Sequence, residues 1–222
     1  MKTPLRILLF GATGMVGEGV LHECLLSEDV ASVTVIGRRS CGVQHPKLDE
    51  ILHADFFDYS SLQDRLSGFD ACLFCLGVTS IGKKEDEYTR LTHDLTMRAG
   101  EALAGLNPSM TFCYVSGLGT DGTESGRSMW ARVKGRTEND LSRLPFRAVY
   151  HFRPGFIKPT KGLRNAHGFA VVLGATYPVL RLLFRQYVTT MEELGRAMIR
   201  VAKDGYADSV LECADIVKAA EA

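Results

Sequence analysis

Nowhere in these 222 residues does an apolar run reach the ~18–20 residues that a helical membrane span needs. The nearest stretch, Gly168 to Phe184, is interrupted by Pro178 and Arg181. It reads as a buried or partly exposed helix covering a pocket, with attachment to a bilayer surface as the lesser alternative. Neither charge sign prevails, since 26 Lys and Arg balance 26 Asp and Glu. That balance, and the lack of a basic stripe interleaved with aromatics, gives no reason to expect nucleic-acid binding. Repeats and biased tracts are missing, and with 45% hydrophobic residues the disordered and collagen-like classes fail. The six cysteines are scattered, four of them in or beside apolar runs, which fits reduced, buried thiols rather than a disulfide scaffold. Cys72 and Cys75 form a CxxC, but on one strand they point to opposite faces and no second pair completes a zinc site, so no metal is expected. The first apolar run, Ile7-Leu8-Leu9-Phe10, ends at Gly11. It is too short for the apolar region of a signal peptide, and a cytoplasmic location is expected.

What is present is a regular alternation. Apolar or β-branched runs at Leu5 to Phe10, Ser32 to Ile36, Glu50 to Ala54, Asp70 to Leu76, Met110 to Ser116 and Phe146 to Phe152 alternate with helical patterns. Those patterns lie at Met15 to Leu26, about Asp86 to Ala104, and Gly126 to Leu144. This rhythm predicts parallel βαβ units, hence an α/β, Rossmann-like doubly wound parallel sheet with helices on both faces. No linker divides the chain, so one domain over 1–222 is expected. After Arg153-Pro154-Gly155 the rhythm loosens into a loop, the apolar stretch, a helix from about Thr190 to Lys203 and a short strand, Ser209 to Glu212. The region 154–222 is therefore expected to supply a small lid on the substrate side, at the carboxyl edge where open α/β sheets bind ligands. Charge is uneven along this half: Gly122 to Asn165 holds ten Arg or Lys against three Asp or Glu. Either an anion site or solvated helix faces would account for it.

The first strand runs directly into Gly11-Ala12-Thr13-Gly14-Met15-Val16-Gly17, and a helix follows. Glycines in that context allow a tight turn and close approach of the backbone to a pyrophosphate, with the free amides and positive end of a helix turned toward it. An NAD site wants a carboxylate at the end of the second strand for the ribose 2′-hydroxyl. This chain reads Gly37-Arg38-Arg39 there. Two guanidinium groups would clamp a 2′-phosphate and stack on adenine, so NADP(H) is the expected cofactor. Asp55 and Phe56 would lie near the adenine edge, and Gly77 and Val78, after Leu76, beside the cofactor ribose.

These residues, with Tyr114-Val115-Ser116, Lys134-Gly135 and Arg153-Pro154-Gly155, resemble the short-chain dehydrogenase/reductase superfamily in its atypical, epimerase-like branch. Within it the chain is similar to small members of the Tat-interacting-protein kind. The resemblance implies a serine that hydrogen-bonds the substrate oxygen, a tyrosine that exchanges its proton, and a lysine four residues on that lowers the tyrosine pKa and holds the nicotinamide ribose. By position the serine is Ser116 and the lysine Lys134. The tyrosine position holds Trp130, whose indole N–H is a donor only, and Pro154 would border the nicotinamide. Trp130 also falls at helical spacing with Val133, Leu141 and Leu144, as packing alone would require. Tyr88 and His93 are the candidates to replace the phenol; Tyr114 and Tyr150 are expected in the core.

Two functions follow as expectations. One is an oxidoreductase or epimerase-like enzyme with weakened catalysis on an unidentified small carbonyl or alcohol. The other is a non-catalytic NADP(H) sensor that binds a protein partner. Monomer and homodimer both remain open, with a lean toward monomer.

Overall fold

The computed structural model of the chain describes residues 3–165 and 184–221. Its central sheet joins β1 (Leu5–Phe10), β2 (Val30–Gly37), β3 (Leu48–Leu52), β4 (Ala71–Phe74), β5 (Thr111–Val115), β6 (Ala148–Arg153) and β9 (Val210–Glu212) in the order 3-2-1-4-5-6-9. Every pairing is parallel. Strand order reverses at β1, whose Phe10 is level with Ile36 of β2 on one side and Phe74 of β4 on the other. A crevice opens at the carboxyl ends of strands on either side of such a reversal.

The strand runs are continuous rather than alternating because both faces of the sheet are covered. Ile7, Leu9, Ala71 and Leu73 face one core with α1 (Met15–Leu26), α5 (Met191–Asp204) and α6 (Cys213–Glu221). Leu8, Phe10, Cys72 and Phe74 face the other, against α3 (Leu95–Leu106), Leu141 of α4 (Met129–Leu141) and a 3₁₀ segment at Ser60–Arg65. The cysteine pair divides in the same way, Cys72 in one core and Cys75 packed on the other. On the first face α1 and α5 meet without spacers: a Cβ on Gly19 would lie 2.8 Å from Cβ of Met191, and one on Gly195 2.6 Å from Cγ of Glu23. Helix α5 starts in a reciprocal cap, Thr190 Oγ1 accepting from the Glu193 amide (3.0 Å) while Glu193 Oε2 accepts from the Thr190 amide (2.8 Å).

Several boundaries differ from the sequence expectation. The helix expected over 86–104 is α2 (Glu85–Thr89), a π-helical turn at Arg90–Asp94, and α3 in succession. Helix α4 begins only at Met129 because Asp121 claims the chain before it, accepting from the amides of Thr123 (3.0 Å) and Gly126 (2.7 Å). The segment expected as a lid is divided. Strands β7 (Phe156–Lys158) and β8 (Val188–Thr190) pair in a small separate parallel sheet, whereas α5, β9 and α6 join the main body. The apolar helix expected over Gly168 to Phe184 lies outside the described residues except for Phe184. Among the described residues no helix is long and apolar enough to cross a membrane.

One glycine tests this packing directly. A Cβ on Gly17 would lie 2.0 Å from the carbonyl oxygen of Gly11, a backbone atom that cannot swing aside. Gly17→Ala is therefore expected to lower stability by about 1–3 kcal/mol or more, read as a lower urea midpoint. Gly105→Ala, at an exposed position of α3 with open space at its Cβ, is expected to gain about 0.5–1 kcal/mol. Equal stabilities for the two variants would count against the close approach.

Candidate functional site

The Gly11–Gly17 turn is built by exclusion. Gly11 has φ +87°, and a Cβ there would lie 2.7 Å from the backbone of Cys75 and Leu76. The Gly14 amide donates to the Gly11 carbonyl at 2.9 Å, closing the turn. Gly14 then opens α1 in an extended conformation and offers its first amides no side-chain acceptor, the condition under which a helix N-terminus takes an anion. Beside this turn lies a cavity of about 420 Å³ lined by Gly11, Ala12, Thr13, Val35, Ile36, Gly37, Arg38, Arg39, Phe56 and Leu76. The fold thus gathers Gly11, Thr13, Arg38, Arg39, Phe56 and Leu76 around one space. Gly14, Met15, Val16 and Gly17 form the turn and helix start next to it. Asp55 is exposed and its Oδ1 accepts from the Phe57 amide at 2.9 Å, while Gly77 and Val78 sit exposed on the loop after β4.

The ends of β2 and β3 decide the local charge. Arg38 and Arg39 are exposed at the cavity wall. The carboxylate on the adjoining strand, Glu50, is engaged: it accepts from Ser40 Oγ (2.7 Å) and the Cys41 amide (2.7 Å). Burial acts to raise its pKa, but these hydrogen bonds outweigh that and hold it below the ordinary carboxylate range.

At the ends of β5 and β6 a buried ionic group governs the geometry. Ser116 Oγ donates to Glu138 Oε1 at 2.5 Å and lies 3.2 Å from the Phe152 carbonyl. Glu138, 3% exposed, also receives Arg153 through Nε (3.0 Å) and Nη2 (2.5 Å), and Arg153 Nη1 reaches Glu212 at 3.1 Å. Those hydrogen bonds and carboxylates raise the Arg153 pKa further. Lys134 Nζ donates to the Ser116 carbonyl at 2.5 Å and stands 5.7 Å from the centre of the Tyr114 ring. Ser116 is thus joined to Lys134 through its carbonyl, and its hydroxyl is taken by Glu138. Burial brings the Lys134 pKa down to about 8, against the opposing pull of the Glu138 carboxylate. Trp130, one helical turn before Lys134, packs its ring near Gly119, where a Cβ would lie 3.7 Å away. The fixed indole offers a wall and an N–H, not an exchangeable acid.

The replacements considered for the phenol are placed otherwise. Tyr88 is buried and burial raises its hydroxyl pKa. Both ring nitrogens of His93 are engaged, Nδ1 with Asp94 (2.8 Å) and Nε2 with Asp140 (2.9 Å), at a separate cavity of about 470 Å³ beside Phe57, Arg90 and Met97. Tyr114 and Tyr150 are buried. Pro154 lines a third cavity, with Leu118. Sequence reasoning missed Glu138. The signal for it was its place four residues after Lys134, which puts it on the same helical face.

The sequence profile of the NAD dependent epimerase/dehydratase family matches residues 7–123, more than half of the chain. Among curated proteins, Protein fmp52-2, mitochondrial, of Aspergillus oryzae is 29% identical over 95% of this chain and 94% of its own length. Protein HTATIP2 of Rattus norvegicus is 27% identical over 68% of this chain and 62% of its own. Among solved structures, the UDP-N-acetylglucosamine 4-epimerase of Methanobrevibacter ruminantium, in complex with UDP-N-acetylmuramic acid, superposes with a TM-score of 0.68 at 15% identity, covering 94% of this chain and 76% of that one. The Bordetella bronchiseptica enzyme WbmF in complex with NAD+ gives 0.64 at 14% identity, over 97% and 77%. The expected cytoplasmic location is corrected by the curated relatives, because the fungal proteins that match nearly end to end are named mitochondrial. The short apolar start that suggested a cytoplasmic protein tests only for a secretory leader. The epimerase-like resemblance of the glycine turn is upheld: the chain belongs to the NAD dependent epimerase/dehydratase family.

Proposed function

We propose that this chain is an NADP(H)-binding oxidoreductase of the epimerase-like kind, acting on a small carbonyl or alcohol with catalysis weakened by Trp130. The observation that carries the reading is the cavity beside the glycine turn, walled by Arg38 and Arg39 while the neighbouring carboxylate, Glu50, is engaged elsewhere. A dinucleotide fits this cradle because Gly11 and Gly17 leave only backbone at the turn. The amides of Met15, Val16 and Gly17 would hold the pyrophosphate, with Gly14 closing the turn through its own amide. Arg38 and Arg39 would take a 2′-phosphate as charge-assisted hydrogen bonds. Thr13, Phe56 and Leu76 complete the walls, Asp55, Gly77 and Val78 flank them, and Pro154, at the separate cavity after β6, would border the nicotinamide. When bound, the nicotinamide supplies or accepts a hydride.

The chain's own groups do the rest. The Ser116 carbonyl holds Lys134, and Lys134 would bind the ribose. It also carries a proton at neutral pH that it can give to a substrate oxygen, with its pKa lowered by burial to about 8. Trp130 excludes water from one wall but takes no part in proton transfer. A second reading, an NADP(H) sensor that signals to a protein partner, is favoured by two features together: the indole in the phenol position and the Ser116 hydroxyl engaged by Glu138.

Four outcomes are expected. NADPH quenches the emission of Trp130, the single tryptophan, at lower concentration than NADH does. Arg38→Ala weakens NADPH about ten-fold or more, the size of one lost charged hydrogen bond, and leaves NADH unchanged; equal quenching by the two cofactors would refute the 2′-phosphate assignment. Trp130→Tyr raises carbonyl reduction by about 10²–10⁴-fold over wild type, the usual worth of a general acid. Wild-type turnover of any carbonyl would end the pure sensor reading. Finally, wild-type reduction declines as pH rises through about 8, where Lys134 gives up its proton; a rate profile flat to pH 9.5 would remove Lys134 as the acid.

A further inference from the structure

Beyond the cofactor cradle, on the same carboxyl edge, lies the cavity that holds Pro154, about 520 Å³ in volume and within the roughly 300–1,000 Å³ of small-molecule sites. Leu118, Pro154, Phe156, Phe184, Tyr187 and Val188 line it, with Gly117 and Gly155 between them. No charged side chain is among the described residues that line it, and Tyr187 brings the one side-chain hydroxyl. The polar backbone around it is paired internally. The Leu118 amide donates to the Pro154 carbonyl (2.9 Å), the Tyr187 amide to the Phe184 carbonyl (2.8 Å), and Phe156 is in register with Val188 in the small sheet. The floor is tight as well, because a Cβ on Gly155 would lie 2.3 Å from the Tyr187 carbonyl oxygen.

Two further observations bear on what fills it. Leu118, Phe184 and Tyr187 are 38%, 49% and 44% exposed, so three large apolar side chains face solvent in one place, as at ligand sites. Among the described side chains, Arg153, next to Pro154, is neutralised by Glu138 and Glu212, and Lys158 sits within electrostatic reach of Glu192. A phosphate or carboxylate brought here would be desolvated with no cation among the described lining residues to compensate.

We infer that this cavity is the substrate subsite and that it selects an uncharged aldehyde, ketone or alcohol with an alkyl or aryl body, and rejects nucleoside-diphosphate sugars and short keto acids. The inference rests on the proposed function for the reaction at the carbonyl, but the binding preference stands on the cavity alone. The position agrees with the cofactor cradle, since Gly117 follows Ser116 and Pro154 follows Arg153 at the ends of adjacent strands β5 and β6.

The test is saturation-transfer NMR on the full chain, with and without NADPH, using 2-octanone and 4-phenyl-2-butanone as probes against pyruvate and UDP-glucose. Both ketones are expected to bind and the two anions not. Leu118→Asp and Tyr187→Glu, both at exposed positions, are each expected to weaken the ketones at least ten-fold while NADPH affinity stays at the wild-type value. Stronger transfer to pyruvate or UDP-glucose than to the ketones overturns the inference, as does unchanged ketone binding in both variants when circular dichroism shows them folded. Ketone binding by a protein that fails to bind NADPH upholds the subsite and refutes the cofactor reading, so the two failures are distinguishable.

Discussion

Three backbone segments converge where β1 and β4 end, and none leaves room for a side chain. Gly11 stands with φ +87° against the carbonyl of Cys75 and the amide of Leu76, and Gly17 lies against the carbonyl of Gly11. This contact brings the start of α1 down onto the sheet edge at the point where strand order reverses. A bulkier turn would lift the helix and move its first amides away from the crevice. The cradle, the level ends of β1, β2 and β4, and the placing of Arg38 and Arg39 beside the same space all follow from that convergence.

Much of the fold was legible because a doubly covered parallel sheet writes itself as uninterrupted apolar runs, and β1 and β4 are of that kind. The parts that were not legible are short or depend on distant partners. Strands β7 and β8 have three residues each and exist only by pairing with one another across the chain. Helix α6 follows β9 without a break, so no turn residues announce it. The start of α4 could not be placed from propensity, since the side chain of Asp121, not a local cap, holds Thr123 and Gly126 outside the helix. At the site, the glycine turn and the arginine pair were legible as positions. The direction of the Ser116 hydroxyl was not, because it is set by a carboxylate 22 residues away.

The charge asymmetry of the chain has the same explanation. The basic surplus between Gly122 and Asn165 permitted an anion site, yet much of it is matched within the fold. Arg132 reaches Glu85 at 2.7 Å, Arg136 and Arg143 both meet Asp140, and Arg153 bridges Glu138 and Glu212. Most of these pairs are partly exposed and each adds little to stability. The Glu138–Arg153 pair is different, because both groups are shielded and removing either would strand the other charge in the interior. Its effect is to specify geometry: it holds β6, α4 and the end of β5 in one arrangement.

That arrangement changes what the replacement of a phenol by an indole means. A tyrosine beside Lys134 would draw its acidity from the ammonium, and the lysine would in turn be stabilised by the phenolate. With Trp130 there is no such partner, and Lys134 is left facing a carbonyl, an aromatic ring and the edge of a buried carboxylate. Desolvation then brings it toward neutrality, whereas Glu138, already shared between Ser116 and Arg153, supplies only part of the opposing field. On the proposed reading the lysine is the titrating group of the site. On that reading Lys134 keeps its place at the site while the Ser116 hydroxyl is engaged by Glu138, and proton transfer would fall to Lys134, whose pKa burial lowers to about 8.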